Sequence, residues 1–269
     1  QFQPQVGSAH FRLTLATPER FFLREVPPEK LAPWREAILN RQADLLLLAC
    51  VLALLLAALG PGINRLSDHP FYTPIRLAAL AFVTGFIGFW GQGQLSIVTP
   101  LATLRTALDD GSLAFLLYDP FSLLIWAVTI LGFVLWGRGL FCGWLCPFGA
   151  LQEFAHHAGR FFRLPEWEPP ARWDARFKSL KYFLLGALIC VAVFSPTHLD
   201  TAAEIEPFKT AITTVFLRDW PYVAYAALWL VLGLFTFKGF CRWVCPLGAL
   251  MAIGGVILGR DWIVLVRDW

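Results

Sequence analysis

Charge is scarce in this chain. Only 15% of its 269 residues are Asp, Glu, Lys or Arg and 57% are apolar, where a soluble domain carries about 25% charged residues. An ordinary water-soluble fold is thereby excluded. No G-x-G-x-x-G, P-loop, H-E-x-x-H or G-x-S-x-G sequence occurs, so nucleotide binding, zinc peptidase chemistry and serine hydrolysis have no motif to carry them. No ionisable residue is expected deep in an apolar run, which argues against ion pumping by this chain alone. The five histidines do not fall in pairs on facing apolar runs, so a bis-histidine haem in the membrane core has no ligands. Nucleic acid is not an expected partner; membrane lipid is.

Long apolar runs fill the space that charge leaves. Residues 43–60, 74–95, 120–140, 180–196 and 220–240 are each long enough, or nearly so, to cross about 30 Å of hydrocarbon as a helix. The expected fold is all-α: a polytopic membrane helical bundle of five spans, with residues 247–269 as an amphipathic tail or a sixth, shorter helix. Trp90, Trp136, Trp144, Trp220 and Trp243 fall at run ends, where interfacial aromatics collect. Residues 1–42 read as a proline-containing lead-in with a surface helix over 28–41, and residues 43–269 as the membrane domain. Gln1 is not Met, so the start is expected to be processed or truncated.

Charge is distributed unevenly between the two sides. Loops 96–119 and 197–219 carry only Arg105, Lys209 and Arg218, against Asp109, Asp110, Asp119, Asp200, Glu204, Glu206 and Asp219. The opposite loops and the tail hold most of the remaining Lys and Arg. The positive-inside rule makes that basic side cytoplasmic and the acidic loops periplasmic. Segment 95–118 is too polar to span and too apolar to be a free loop; it is expected to re-enter the membrane or lie on its periplasmic surface, beside the plainer reading of an ordinary packed loop.

One phrase occurs twice. Phe141-Cys142-Gly143-Trp144-Leu145-Cys146-Pro147-Phe148-Gly149-Ala150-Leu151 is echoed by Phe240-Cys241-Arg242-Trp243-Val244-Cys245-Pro246-Leu247-Gly248-Ala249-Leu250. Each copy follows an apolar run and lies at its expected cytoplasmic end. Residues at i and i+4 share a helix face, so each Cys-x3-Cys can present two sulfurs together. The prolines should kink the chain or start a new helix. If the repeats, near 120–151 and 219–250, pair about an internal two-fold axis, Cys142, Cys146, Cys241 and Cys245 converge. Cytoplasmic thiols are not expected to form structural disulfides. Four thiolates suit an iron–sulfur cluster, tetrahedral zinc or bound copper. Cys50 and Cys190 read as small buried apolar residues. His156 and His157, just past the first motif, are candidates for metal or proton handling beside the plainer reading of interfacial residues.

The two motifs, the first extended through Gln152-Glu153, resemble those of the NosR/NapH family of membrane iron–sulfur proteins, the NosR-type membrane domain most nearly. Gly91-Gln92-Gly93-Gln94 through Thr99, and Trp136-Gly137-Arg138-Gly139, resemble it too. The resemblance covers roughly residues 40–255. It implies a bacterial inner-membrane protein that moves electrons between the quinol pool or cytoplasm and a periplasmic reductase, nitrous oxide reductase in the NosR branch. It carries the cofactor-ligand role onto Cys142, Cys146, Cys241 and Cys245, which would hold an iron–sulfur cluster of the 4Fe–4S or 2Fe–2S type. Full-length members also carry a periplasmic FMN domain before the membrane part and ferredoxin-like cysteines after it. This chain has no flavin-attachment sequence and no cysteine after Cys245, so those modules are expected on missing segments or partner chains. The role implied is a redox relay subunit, not a stand-alone catalyst. A quinol site between spans is left open, with no residue marking it. The alternative is a metal-handling assembly factor whose thiolates bind Cu(I) for a periplasmic copper enzyme.

Overall fold

The structure, a computed structural model, describes residues 5–6, 9–10, 33–59, 70–93, 95–109, 113–136 and 140–258. Most of the lead-in, the turn at 60–69, Gln94, the Gly137-Arg138-Gly139 stretch and the tail from 259 lie outside the described residues. Among those described, the strand structure is one two-residue antiparallel pair, β1 (Gln5–Val6) with β2 (Ala9–His10). Helix dominates the rest, and the chain is a polytopic helical membrane protein.

Helix α1 (Pro33–Asn40) meets α2 (Gln42–Leu59) at a sharp bend of 75°. Helix α3 (Tyr72–Val83) runs on into a π-helical stretch, Thr84–Trp90. Helix α4 (Val98–Leu108) and a 3₁₀ turn, Leu113–Tyr118, occupy the segment too polar to span. Helix α5 (Pro120–Trp136) leads to a π-helical turn, Phe141–Leu145, and then to α6 (Pro147–Phe161). Helix α7 (Ala171–Phe194) is followed by a long connection holding α8 (Leu199–Ala202) and a π-helical turn, Lys209–Thr213. Helix α9 (Trp220–Phe235), the short α10 (Gly239–Trp243) and α11 (Pro246–Leu258) complete the bundle.

Prolines open several of these helices. Pro120, Pro147 and Pro246 stand at first positions and Pro221 at a second, where the missing amide hydrogen costs nothing. By length and composition, Tyr72–Trp90 and Ala171–Phe194 can each cross a bilayer, and the bent pair before them brings the number to three if it is counted as one span; Pro120–Leu135, Trp220–Phe235 and Pro246–Ile257 are apolar but shorter. At about 1.5 Å per residue, the 17 residues of α5 reach only about 26 Å. The fifth apolar run is cut short because the chain leaves the helix after Phe235 and folds back to build the second cysteine turn. Leu140 packs back against Gly132, where a Cβ would stand 2.3 Å from its Cδ2. Phe240 packs back onto Trp229 in the middle of α9, ring centroids 5.3 Å apart.

Helix α6 packs against α9, and α11 against α5 and α7. Each helix that follows a motif thus rests on the helix that precedes the other motif. One glycine and one glycine pair make close approaches. A Cβ at Gly159 of α6 would stand 2.1 Å from the carbonyl oxygen of Leu234 in α9. Cβ atoms at Gly91 and Gly93 would stand 2.3 and 2.2 Å from the ring of Phe121, which is fully buried. That is the physical reason for the Gly-x-Gly ending of the second apolar run.

The bundle holds charges that the sequence did not place inside it. Glu153 of α6, Asp174 of α7, Glu206 and Lys238 are buried, and Arg76 of α3 is nearly so. Each buried carboxylate is met by cations or hydrogen-bond donors, as burial requires. The connection between α7 and α9 is not a free acidic loop either. Phe208, Thr210, Ala211 and Ile212 are buried in it, and Glu204 is clasped by Arg218 and Lys209.

Candidate metal centre

The two cysteine turns are built alike. In the first, the amide of Cys146 donates to the Phe141 carbonyl (2.8 Å), that of Ala150 to the Cys146 carbonyl (3.0 Å), and that of Gly149 to the Cys146 Sγ (3.3 Å). In the second, Cys245 donates to Phe240 (3.0 Å), Ala249 to Cys245 (3.1 Å), and Gly248 to the Cys245 Sγ (3.2 Å). The second cysteine of each pair therefore caps the helix that its proline begins. Helix N-termini carry unpaired amides and partial positive charge, which suits a thiolate. Gly149 and Gly248 leave room: a Cβ there would stand 3.2 Å from the carbonyl oxygens of Cys142 and Cys241.

All four motif cysteines come together. Cys146 and Cys241 face each other across the two turns, and Cys241 lies within electrostatic reach of Cys142, Cys146 and Cys245. Cys245 likewise feels Cys142 and Cys146. All are free thiols, Cys146 and Cys245 buried and the other two half-buried. The thiols were expected at helix ends near the surface; folding back of both turns puts them inside the bundle. Cys50 and Cys190 are exposed on α2 and α7, contrary to the buried reading, because they face outward from apolar helices.

The surroundings are cationic on one flank. Lys238 and Lys181 both face the thiols. Lys238 Nζ lies 2.8 Å from Glu153 Oε2, and Glu153 is held in turn by Arg76 through Nε (2.7 Å) and Nη2 (3.1 Å), a bidentate pair. On the other flank Trp243 Nε1 donates to Asp174 (2.9 Å), which also pairs with Lys178 and Arg242. Phe208, from the connection after α7, stacks on Phe148 and Phe240 at 5.5 and 5.9 Å, sealing the site with aromatic bulk. Beside it Glu206 accepts from Ser96 Oγ (2.8 Å) and the Ile97 amide (3.1 Å) and lines a cavity of about 220 Å³ with Gln92 and Asp200. Burial pushes its carboxyl up to about 7. The Arg218 guanidinium, by contrast, holds the neighbouring Glu204 below the usual carboxylate range.

His156 and His157 do not join the thiols. His156 lies against Phe237, centroids 5.3 Å apart, and its Nε2 is 3.8 Å from Glu166. Among the described residues no three His, Cys, Asp or Glu side chains close on a point as a single-ion cage would require. A polynuclear cluster holds its thiolates farther apart than one ion does. Four mutually interacting soft donors, two amide-to-sulfur hydrogen bonds, adjacent cations and exclusion of water are the features that suit such a cluster. Sequence reasoning singled out the four cysteines. It missed Lys238, Glu153 and Arg76 as a unit, and Glu206; the only signal for Glu153 was its place at the end of the first motif.

This geometry defines a helical membrane protein with paired cysteine turns, and a 4Fe–4S binding domain model matches residues 118–165 and 219–264, one match on each turn. The chain is 43% identical over 201 residues to the regulatory protein NosR of Stutzerimonas stutzeri, covering 74% of this chain and 28% of that protein. It is 38% identical over 263 residues to NosR of Pseudomonas aeruginosa and 37% over 253 residues to protein NirI of Paracoccus denitrificans, in each case 94% of this chain and 37% of the relative. No solved structure matches the chain. The chain belongs to the NosR/NapH-type membrane iron–sulfur proteins. It spans about a third of the length of these curated relatives.

Proposed function

We propose that Cys142, Cys146, Cys241 and Cys245 together hold one iron–sulfur cluster, and that the chain is the membrane segment of an electron relay in denitrification. The relay takes electrons from the quinol pool or a cytoplasmic donor and passes them toward a periplasmic reductase. The observation that carries this reading is the convergence of two identically hydrogen-bonded cysteine turns, 99 residues apart in sequence, on one water-excluding site. When bound, such a cluster supplies one-electron chemistry at a potential set by its surroundings. The chain's own part is to anchor it through two turns, donate hydrogen bonds from Gly149 and Gly248 to sulfur, and exclude water with Phe148, Phe208 and Phe240.

Similarity to NosR and NirI supports the denitrification setting, with nitrous oxide reductase as the acceptor for a NosR-like chain. The charge asymmetry of the loops supports cysteine turns on the cytoplasmic half and the 197–219 connection on the periplasmic half. FMN and ferredoxin-type centres belong, on this reading, to other segments or partners.

Anaerobic purification followed by iron, labile-sulfide and copper analysis, with EPR of the reduced protein, tests it. Iron with matching sulfide and a cluster signal is the expected result. Copper without sulfide would replace this reading with metal handling for a periplasmic copper enzyme, and cysteines that only interchange dithiol and disulfide would overturn the cluster.

A further inference from the structure

Lys238 occupies a backbone position that glycine would fill freely. Its φ of 49° and ψ of 41° lie in the left-handed region, which disfavours any residue with a Cβ. Gly239 stands next to it. The lysine is nevertheless there, and its side chain is buried. Such strain persists only where the surroundings over-determine it, and here they do. Lys238 lies three residues before Cys241, in the second turn. Its Nζ approaches the carbonyl oxygen of Cys142 in the first turn at 3.4 Å and Glu153 Oε2 at 2.8 Å. One side chain thus spans the seam between the two cysteine pairs.

Its charge is also placed to act. Cys142 and Cys146 both lie within its electrostatic reach. Glu153 is shared with Arg76, so the Arg76–Glu153–Lys238 group keeps one net positive charge inside the bundle. A fixed cation in a low-dielectric interior favours whichever state of its neighbour is more negative. For a centre held by four thiolates, that is the reduced state.

We propose that Lys238 is the positioning residue of the four-cysteine centre: it fastens the two cysteine turns to each other and raises the reduction potential of what they hold. The inference rests on the reading that these cysteines bind a cluster. The test is redox titration, followed by EPR, of the anaerobically purified chain as wild type and as Lys238→Gly, Lys238→Met and Lys238→Arg. Lys238→Met removes the ammonium and keeps the buried stem, while Lys238→Gly removes the whole side chain and relieves the left-handed backbone, so a shift common to both belongs to the charge.

The expected result is a cluster in every form, with the midpoint moved to lower potential in Lys238→Gly and Lys238→Met and returned toward wild type in Lys238→Arg. Wild-type protein without iron overturns the cluster reading and this one together. Iron-replete Lys238→Gly with a wild-type midpoint overturns only this inference and leaves Lys238 a turn residue. Iron lost from all three variants makes Lys238 a structural fastener and overturns its effect on potential.

Discussion

The two cysteine turns agree in backbone and differ in company. Both place a cysteine at a helix start, both draw a glycine amide onto sulfur, and both follow Phe-Cys-x-Trp. Their tryptophans, at equivalent positions, have unlike neighbours. Trp144 lies under the Arg76 guanidinium, 5.0 Å from ring centroid to charge. Trp243 donates a 2.9 Å hydrogen bond to Asp174 and packs edge-on to Phe177 and Trp167. The first turn is buttressed by α3 and the second by α7. What is repeated is the part that touches the candidate cluster; what has diverged is the part that ties each turn to the bundle. A duplicated ligand frame needs identical donors, whereas the helices packed around it need only fill space and satisfy charge.

If the shared frame is the functional part, removing a thiol from either copy should be equally damaging. Cys146→Ser and Cys245→Ser are each expected to abolish cluster retention, read as iron and sulfide per chain, and the Cys142→Ser/Cys241→Ser double variant should abolish electron delivery to the reductase while the chain still inserts. Full iron in one single variant and none in the other would break the equivalence.

The next effect is specific to the first half. Gly159→Ala would push a methyl group against the Leu234 carbonyl, backbone that cannot step aside. It should lower unfolding stability in detergent by about 1–3 kcal/mol. Position 258, its counterpart in the second copy, is already leucine, so the strain falls on one side of the comparison alone.

The tryptophans give a smaller contrast. Trp243→Phe leaves the buried Asp174 one donor short and should cost about 1–2 kcal/mol. Trp144→Phe keeps a ring beneath Arg76 and should cost about 0.5 kcal/mol or less. Thermal melts of the two variants side by side decide this, and equal losses would erase the distinction between the flanks.

The smallest effect concerns pH. Glu206 titrates near 7 in the folded chain against 4.5 in the free residue, so the native state binds its proton more tightly than the unfolded state. Its contribution is therefore most favourable below pH 4.5, declines as pH rises through 4.5 to 7, and amounts to a loss of about 1 kcal/mol between pH 6 and 8. Glu206→Gln should flatten that decline, measured as melting temperature against pH. A slope unchanged by the substitution would show that another group governs it.

The sequence made the apolar helices and the repeated cysteine phrase legible because apolar runs and Cys-x3-Cys-Pro spacing are local signals. It did not reveal that α9 stops at Phe235 so that the chain can double back, since an apolar run looks the same whether it continues across the bilayer or folds onto itself. Nor could it show the inward dip of residues 207–213. Phe208 and Ile212 read as members of a loop until their contacts with Phe148, Phe240 and Gly88 are seen. The Arg76–Glu153 pair joins residues 77 apart, and no short-range pattern encodes that partnership.

The enclosure of the thiols sets an order for how the protein is made. Two of the cysteines precede α6, the other two follow α9, and Phe208 closes over them from the segment between. During synthesis the first pair emerges without its partners and without its cover, and a complete donor set exists only after the chain has been translated past Cys245. A centre held by all four thiols could be loaded only from that point on. A chain truncated before the second turn would leave the first pair without its partners and exposed to oxidation.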